Sequence, residues 1–447
     1  MTAPMAATAM SPRTVVGGKA LPLAVGAVIL LLPFGDYSVP VIGLRLSYVA
    51  MAVPAALAVR AIVAGRRLPA SLILLGAGLG MVGGVVSAAA GVAPDRSVPL
   101  VVISAITLGF ATAVVFAYRP GLEVGALDLL VVVGGVVAGT ALASAGSIQA
   151  AEAGSVVNGR LTGPFSQPNE LGVFCAALLP IAVACLVSTA SWRRGVLLGI
   201  ATGCLAAACV MSMSRGSWIG GTAALICLAV CEPATRRALG AVGLVLLGTC
   251  LAALMVPADV PILGVLGSRI RSLGDPAGNQ YDDRPLIWAE ALRQGAEHPW
   301  LGVGPGAFQN AASTSASAVS ADPADHAHNL VLTTLADRGV IGVALGVLVV
   351  TGVVVAARRQ LLAVPRPGTG DHVFRVRSMA VVAALTAVVV HGSFDMPLRN
   401  PIVAALVWTL LGLAMVAETT GPPAPRREPV DRPRVRPSSD SKVVQRW

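Results

Sequence analysis

ALGAVGLVLLGTCLAALMV, residues 238–256, carries no charge, and directly after it the chain turns hydrophilic from residue 257 to 337. An uncharged run of that length crosses the hydrocarbon core of a bilayer when it is helical. The polar stretch is the one long interruption in an otherwise almost continuous series of apolar segments. Working outward, apolar runs recur at roughly 20–34, 40–64, 68–92, 98–118, 121–143, 169–189, 194–212 and 216–232 before it, and at 339–356, 378–394 and 401–417 after it. In lipid every backbone N–H and C=O must be satisfied within the segment, so these runs are expected to be helices. The pattern predicts an all-α polytopic membrane protein with about twelve transmembrane helices and a long extracytoplasmic loop between helices nine and ten. The first run, broken by Pro33, and the eighth are short. Composition points the same way: 447 residues, 55% hydrophobic, 12% charged and a mean hydropathy of +0.78 exclude an ordinary soluble globular protein.

The chain then divides into a cytoplasmic N-terminus (1–19), helices one to nine (20–256), an extracytoplasmic catalytic loop (257–338), helices ten to twelve (339–417) and a basic, proline-rich cytoplasmic tail (418–447). Arg13 and Lys19 precede an apolar run, as in a signal peptide, but no small-residue cleavage site follows in Phe34-Gly35-Asp36-Tyr37, so the first helix is expected to remain. With both termini cytoplasmic, most of the 32 basic residues fall on the inner side, as the positive-inside rule requires of a multi-pass protein of the cytoplasmic membrane. The net charge of +10 is therefore a consequence of topology and calls for no nucleic-acid partner. The basic tail is expected to be attracted to anionic lipid. The seven cysteines all lie in predicted helices six to nine without a CxxC pair, and read as small packing residues.

Arg45, Arg96, Arg160, Arg215, Arg269, Arg271, Arg284, Arg293, Arg338 and Arg399 are left on the outer side. Arg45, Arg96 and Arg338 read as interfacial residues that snorkel to the bilayer surface. Arg160 stands in a loop shaped by two glycines and two prolines that runs into helix six. In that loop Asn169 follows Pro168, placed either to cap the helix or to contact substrate. Arg215, in Met213-Ser214-Arg215-Gly216-Ser217, occupies the short break between helices seven and eight. Arg284 follows Asp282 and Asp283, and Pro285 suits the first turn of an amphipathic helix through Trp288 and Arg293. The glycine-rich turn 298–308, with Gly304 as a loop-shaping residue, lacks a surrounding strand–turn–helix unit and is no nucleotide fingerprint. His328 and Asn329 close the loop in Asp325-His326-Ala327-His328-Asn329. If the segment to Arg338 is helical, His328 stands about 15 Å above it, at the level of a lipid pyrophosphate. Two histidines at i and i+2 on a helix point to different faces, so no metal site is expected from His326 and His328.

Arginine's planar fork holds phosphate oxygens without a metal, and a histidine near neutral pKa moves a proton. Asp282 or Asp283 is an alternative base.

Taken in order, Arg160-Leu161-Thr162-Gly163 through Pro168-Asn169-Glu170, Ser214-Arg215-Gly216, Arg284 with Trp288, Pro299 through Gly306, and His328-Asn329 resemble the O-antigen ligase/polymerase superfamily of membrane glycosyltransferases. The resemblance implies metal-independent, cofactor-free transfer of a glycan from an undecaprenyl-pyrophosphate carrier to a glycan or lipid acceptor. It implies that Arg215 and Arg284 bind the pyrophosphate, with Arg160 a candidate for the same pocket, and that His328 is the general base. Asn169, Asn329 and Gly304 would contact the acceptor or shape the loops. A polymerase of the same superfamily, making capsule, exopolysaccharide or cell-wall glycan, shares this machinery. A transporter would need ionisable residues near mid-membrane, which the predicted helices almost lack. Another lipid-linked glycosyltransferase family, such as those that polymerise peptidoglycan, is a further alternative.

Overall fold

The computed structural model describes residues 19–40, 43–118, 123–144, 156–157, 160–257, 260, 263–271, 284–312, 324–363 and 370–420. The N-terminal segment, Asp282, Asp283 and the basic tail lie outside the described residues. The helices are α1 (Ala20–Leu30), α2 (Leu46–Val63), α3 (Leu72–Ala90), α4 (Pro94–Ala117), α5 (Glu123–Ala143), α6 (Pro168–Val187), α7 (Trp192–Met211), α8 (Arg215–Cys231) and α9 (Arg236–Met255). They continue with α10 (Leu263–Arg271), α11 (Arg284–Glu297), α12 (Leu330–Leu362), α13 (Asp371–Gly392) and α14 (Pro401–Thr419). Two-residue strands β1 (Val156–Val157) and β2 (Arg160–Leu161) pair antiparallel before α6. The protein is all-α and polytopic. Ten helices among the described residues are long and apolar enough to cross a membrane. Each expected run is helical, but α1 and α8 fall below spanning length.

Burial sorts the helices. In α6 and α14, 83% and 89% of the apolar window is buried, against 6% for the helix ending at Met255. A helix apolar on all sides is stable in the middle of a bundle or against lipid, and α6 and α14 take the first place while α9 takes the second. Leu244, Leu251 and Met255 of α9 are outward-facing accordingly. With no hydrophobic drive between helices in lipid, close packing depends on small residues. A Cβ on Gly220 of α8 would sit 2.6 Å from the Ala387 carbonyl of α13. All seven cysteines are free thiols within α6 to α9.

The expected tenth helix differs from its reading. It begins at Leu330 and is broken at Gly339, whose φ of 63° and ψ of −166° are open to glycine. A Cβ there would also lie 2.3 Å from the Trp300 carbonyl carbon. The break separates an outer half from a membrane half and lets loop 298–306 thread between them. Val303 and Gly304 donate to the Ala336 and Asp337 carbonyls, and Val340 donates to the Pro299 carbonyl (2.8, 3.1 and 2.8 Å). The loop thus satisfies backbone groups that the break exposes. Gly304 itself holds φ at 106° and stands against Ser97 of α4, which makes it loop-shaping.

Candidate functional site

Where α6, α8, α10, α11 and the turn after α13 meet, Arg160, Arg215, Arg269 and Arg284 line one cavity of about 130 Å³ together with Asn169, Ser214, His391 and Asp395. The three arginines singled out from sequence converge, and a fourth joins them. Local structure explains each placement. Arg160 is held by the β1–β2 pair, donating from Nε to the Ser212 carbonyl (3.1 Å) and from Nη2 to Asn169 Oδ1 (2.8 Å). Arg215 opens α8 behind Ser214, whose hydroxyl accepts from the Ser217 N–H as the helix cap. Met213, just before, adopts φ 52°, a left-handed conformation that turns the chain sharply into the helix. Arg269 comes from amphipathic α10, which packs Leu266 against Met213 and Ala253 while Arg269 Nε donates to the Met213 carbonyl (3.2 Å). Arg284 is the first residue of α11, with Pro285 in the first turn as expected.

Crowded cations raise the cost of each other's charge. Burial first, then Arg269, Arg284 and Arg215, push the Arg160 guanidinium down to about 10, still protonated at neutral pH. A doubly or triply charged anion is the natural occupant of such a place.

Asn169 corrects one expectation. Pro168 takes the first helical position of α6, and Gln167, not Asn169, caps the helix in a reciprocal capping box with Glu170. Freed from capping, Asn169 accepts from Arg160 and donates from Nδ2 to Asp395 Oδ2 (2.8 Å). Asn329 is the residue that caps, accepting from the Val331 and Leu332 N–H groups and donating to the Ser393 carbonyl.

Asp395, in the short turn between α13 and α14, is the junction of the site. Its Oδ1 lies 3.2 Å from His328 Nδ1 and 3.9 Å from His326 Nε2, and accepts from the Met396 N–H at 2.8 Å. Burial alone would raise its pKa, but the imidazole neighbours, that N–H and the Asn169 amide outweigh it and hold the carboxyl far below the usual range. Asp395 is therefore a carboxylate at any working pH. With Nδ1–H of His328 donating to Asp395, Nε2 carries the basic lone pair. His328 reaches this position at φ 48°, the second non-glycine residue in the left-handed region among the described residues; like Met213 it borders the site.

The two histidines are also rearranged relative to expectation. Residues 325–329 precede α12 instead of belonging to a helix, so the His326 and His328 rings come together, centroids 4.1 Å apart. With Asp395 they bring three potential ligand atoms within 4.8 Å of one another. The helical argument against a metal thus fails on geometry. His326 Nδ1 is 2.6 Å from Asp325 Oδ1, and Asp325 in turn pairs with Arg399. Burial would raise the Asp325 carboxyl, but His326 and Arg399 draw it down to about 2. The carboxylates on either side raise His326 against the lowering effect of burial.

Sequence reasoning missed Asp395, His391 and the site role of Arg269. The signal for Asp395 was present: it is a carboxylate in the brief outer turn His391-Gly392-Ser393-Phe394-Asp395 between two apolar runs. Arg269 was counted on the outer side without being assigned to a site.

No curated protein matches the chain. Residues 200–347, about a third of the chain, match the family model Wzy_C, O-antigen ligase. That span contains Arg215, Arg269, Arg284 and His328, while Arg160, Asn169 and Asp395 reach the same site from outside it. The match over residues 200–347 is what supports a place for the chain in the O-antigen ligase superfamily.

Proposed function

We propose that this protein is a membrane glycosyltransferase that moves a glycan from a polyprenyl-pyrophosphate carrier, the undecaprenyl type by family resemblance, to an acceptor hydroxyl. The observation that carries the reading is the arginine cavity walled by Asp395, the carboxylate that holds His328. Arg160, Arg215, Arg269 and Arg284 bind the pyrophosphate. Their guanidinium groups are fixed before reaction, so they stabilise the negative charge that grows on the leaving group. His328 Nε2 takes the proton of the acceptor hydroxyl, whose oxygen attacks the anomeric carbon. The anomeric C–O bond breaks and its electron pair stays on the pyrophosphate, giving inversion of configuration. Asp395 keeps the imidazole in one tautomer and orientation and stabilises the imidazolium that forms.

The arginines do the work that a divalent cation does in other phosphate transfers, so the reaction is read as metal-independent and cofactor-free. A second reading rests on His326, His328 and Asp395 as cation ligands. Chelation separates the two: EDTA leaves transfer unchanged on the first and removes it on the second. Charge placement supports a site on the outer face of the cytoplasmic membrane with both termini inside. The donor chemistry is common to a ligase and to a polymerase of capsule, exopolysaccharide or cell-wall glycan; the acceptor separates them. A transporter is the less favoured reading, because Arg160, Arg215, Arg269, Arg284, His328 and Asp395 gather in one site at the helix ends.

The test is glycan transfer in membranes with His328→Ala and Arg284→Ala beside wild type at matched protein levels. Loss of product with accumulation of the lipid-pyrophosphate-linked glycan is expected. Undiminished transfer in both variants removes the site.

A further inference from the structure

A general base needs one partner to orient it, and His328 has that partner in Asp395. The same carboxylate also meets a second histidine, which proton transfer does not require. Oδ1 of Asp395 is 3.2 Å from His328 Nδ1 and 3.9 Å from His326 Nε2. One ligand atom from each of the three residues lies within 4.8 Å of the other two. Two atoms held about 2 Å from one zinc ion at the tetrahedral angle stand about 3.3 Å apart. The first pair already has that spacing, and the second needs a movement of about half an ångström.

The surroundings prepare these atoms for a cation. An ionised carboxylate accepts and cannot donate, so His326 Nδ1, 2.6 Å from Asp325 Oδ1, carries a ring proton. Arg399, 2.9 Å from the same nitrogen, pairs with Asp325 as well. In the neutral ring the lone pair is then on Nε2, the nitrogen turned toward Asp395. Histidines that ligate zinc characteristically donate their other N–H to a carboxylate in this way. Asn169 holds Oδ2 of Asp395, which fixes the carboxylate with Oδ1 toward the histidines. A cation can arrive through a space of about 290 Å³ bounded by His326 and Asp395, where Asp36 and Glu170 offset Arg45 and Arg399. It need not pass the arginines of the donor cavity.

Two imidazoles and one carboxylate suit zinc and its neighbours in the first transition series, whereas magnesium and calcium prefer oxygen alone. The seat is on the wrong side of the His328 ring to serve the acceptor. Nδ1 faces Asp395, and Nε2, on the opposite edge, is the atom that takes the hydroxyl proton in the proposed reaction. A zinc ion on Nδ1 is therefore a ring's width from the reacting oxygen. To bind there it takes the Nδ1 lone pair, and the ring proton moves from Nδ1 to Nε2. The imidazole stays neutral, but Nε2 no longer has a lone pair with which to accept a proton.

We infer that His326, His328 and Asp395 form a zinc site whose occupation switches the transferase off, with Asp325 as the carboxylate that orients His326. Binding of the ion does not depend on what the enzyme transfers, whereas the inhibition rests on the reading of His328 as the base. The effect is opposite in sign to that of a catalytic metal: zinc lowers the rate and a chelator restores it.

The experiment titrates zinc into the untagged full chain in proteoliposomes, first stripped with EDTA and washed free of it, with glycan transfer followed in the same samples. Wild type is expected to bind one zinc per chain at micromolar free zinc, to lose transfer at least tenfold as it does so, and to recover on chelation. Cobalt in place of zinc should show the visible absorption of a four-coordinate site. His326→Gln removes a ligand and should raise the zinc needed for half-occupancy and half-inhibition at least tenfold. Asp325→Asn, at a half-exposed pair where little stability is at stake, removes no ligand and should raise both about tenfold through loss of the orienting carboxylate. No zinc bound by wild type, binding undiminished in both variants, or bound zinc that leaves transfer unchanged or raises it would each overturn the inference. Absence of transfer in every sample would instead sink the proposed reaction, and zinc binding weakened in both variants would leave the metal site standing.

Discussion

Asp395 stands between two unlike regions, lining the first and the space of about 290 Å³ that borders the second. On one side is a small cavity of about 130 Å³ with four arginines in its walls. On the other is a larger space of about 620 Å³ whose walls mix three carboxylates with three guanidinium groups, amides and apolar side chains. Electrostatics alone sorts ligands between them. A pyrophosphate gains from four guanidinium groups in the first, whereas in the second Asp95, Asp325 and Asp337 offset Arg96, Arg338 and Arg399. The base stands at the boundary, where a proton must leave one reactant as negative charge builds on the other. The lesson is that direction of transfer is written into the charge difference across one buried carboxylate.

The comparison can be broken at the boundary first. His328→Ala should lower the transfer rate by about 10³-fold or more, the effect of removing a general base, with donor binding intact; single-turnover transfer and donor retention read the two separately. Unchanged turnover would hand the proton to another group. Next comes the arginine side. Arg284→Ala should cost about 10²- to 10³-fold in rate, and Arg284→Lys should recover only part of it, because an ammonium keeps the charge but loses the two-pronged fork. Full rescue by lysine would reduce the cavity to simple charge attraction. Asp395→Asn should lower the rate by about 10- to 100-fold through loss of imidazole orientation, and should shift the pH profile of transfer, which a purely structural role would leave in place.

These three positions also mark what could be read in advance. Arg160, Arg215, Arg284 and His328 stand out in the sequence because polar residues on the outer side of an apolar chain are few and unexplained by topology. Asp395 does not stand out in that way. Its importance comes from Asn169, His326 and His328, which lie 226, 69 and 67 residues away, and only packing brings them together. Asn169 shows the converse error. Local rules allow it as a helix cap, but with Pro168 at the first helical position the cap lies two residues earlier, at Gln167, and the amide is released for Arg160 and Asp395.

Smaller effects sharpen the picture further. EDTA should change the rate by less than about twofold if the arginines neutralise the leaving group as proposed. A collapse of activity restored by one divalent cation would move the chemistry onto His326, His328 and Asp395. The smallest expected change is at the Asp325–Arg399 pair, which is half exposed. Asp325→Asn should cost no more than about 1 kcal/mol at neutral pH. A carboxylate lowered in the folded state stabilises above its ordinary pKa and loses that contribution as pH falls. The difference between Asp325→Asn and wild type should therefore fade between about pH 4 and pH 2 in thermal unfolding.

Much of this protein is a local property of its sequence. Crossing a bilayer depends on the summed transfer free energy of about twenty consecutive residues, and backbone hydrogen bonding in lipid then leaves the helix as the form available. Apolar runs, the polar loops between them and the inventory of loop cations could therefore be read residue by residue. Which helices lie at the centre could not, since α6 and α9 are both uncharged for most of their length, yet one is nearly enclosed and the other faces lipid. Nor could the rotation of the His326 and His328 rings toward one another, the recruitment of Arg269 by an amphipathic helix, or the placing of Asp395 between two unlike cavities. Those depend on contacts between segments far apart in the chain, and such contacts are set by close packing of small residues and by backbone breaks such as Gly339, which act only once the helices have met.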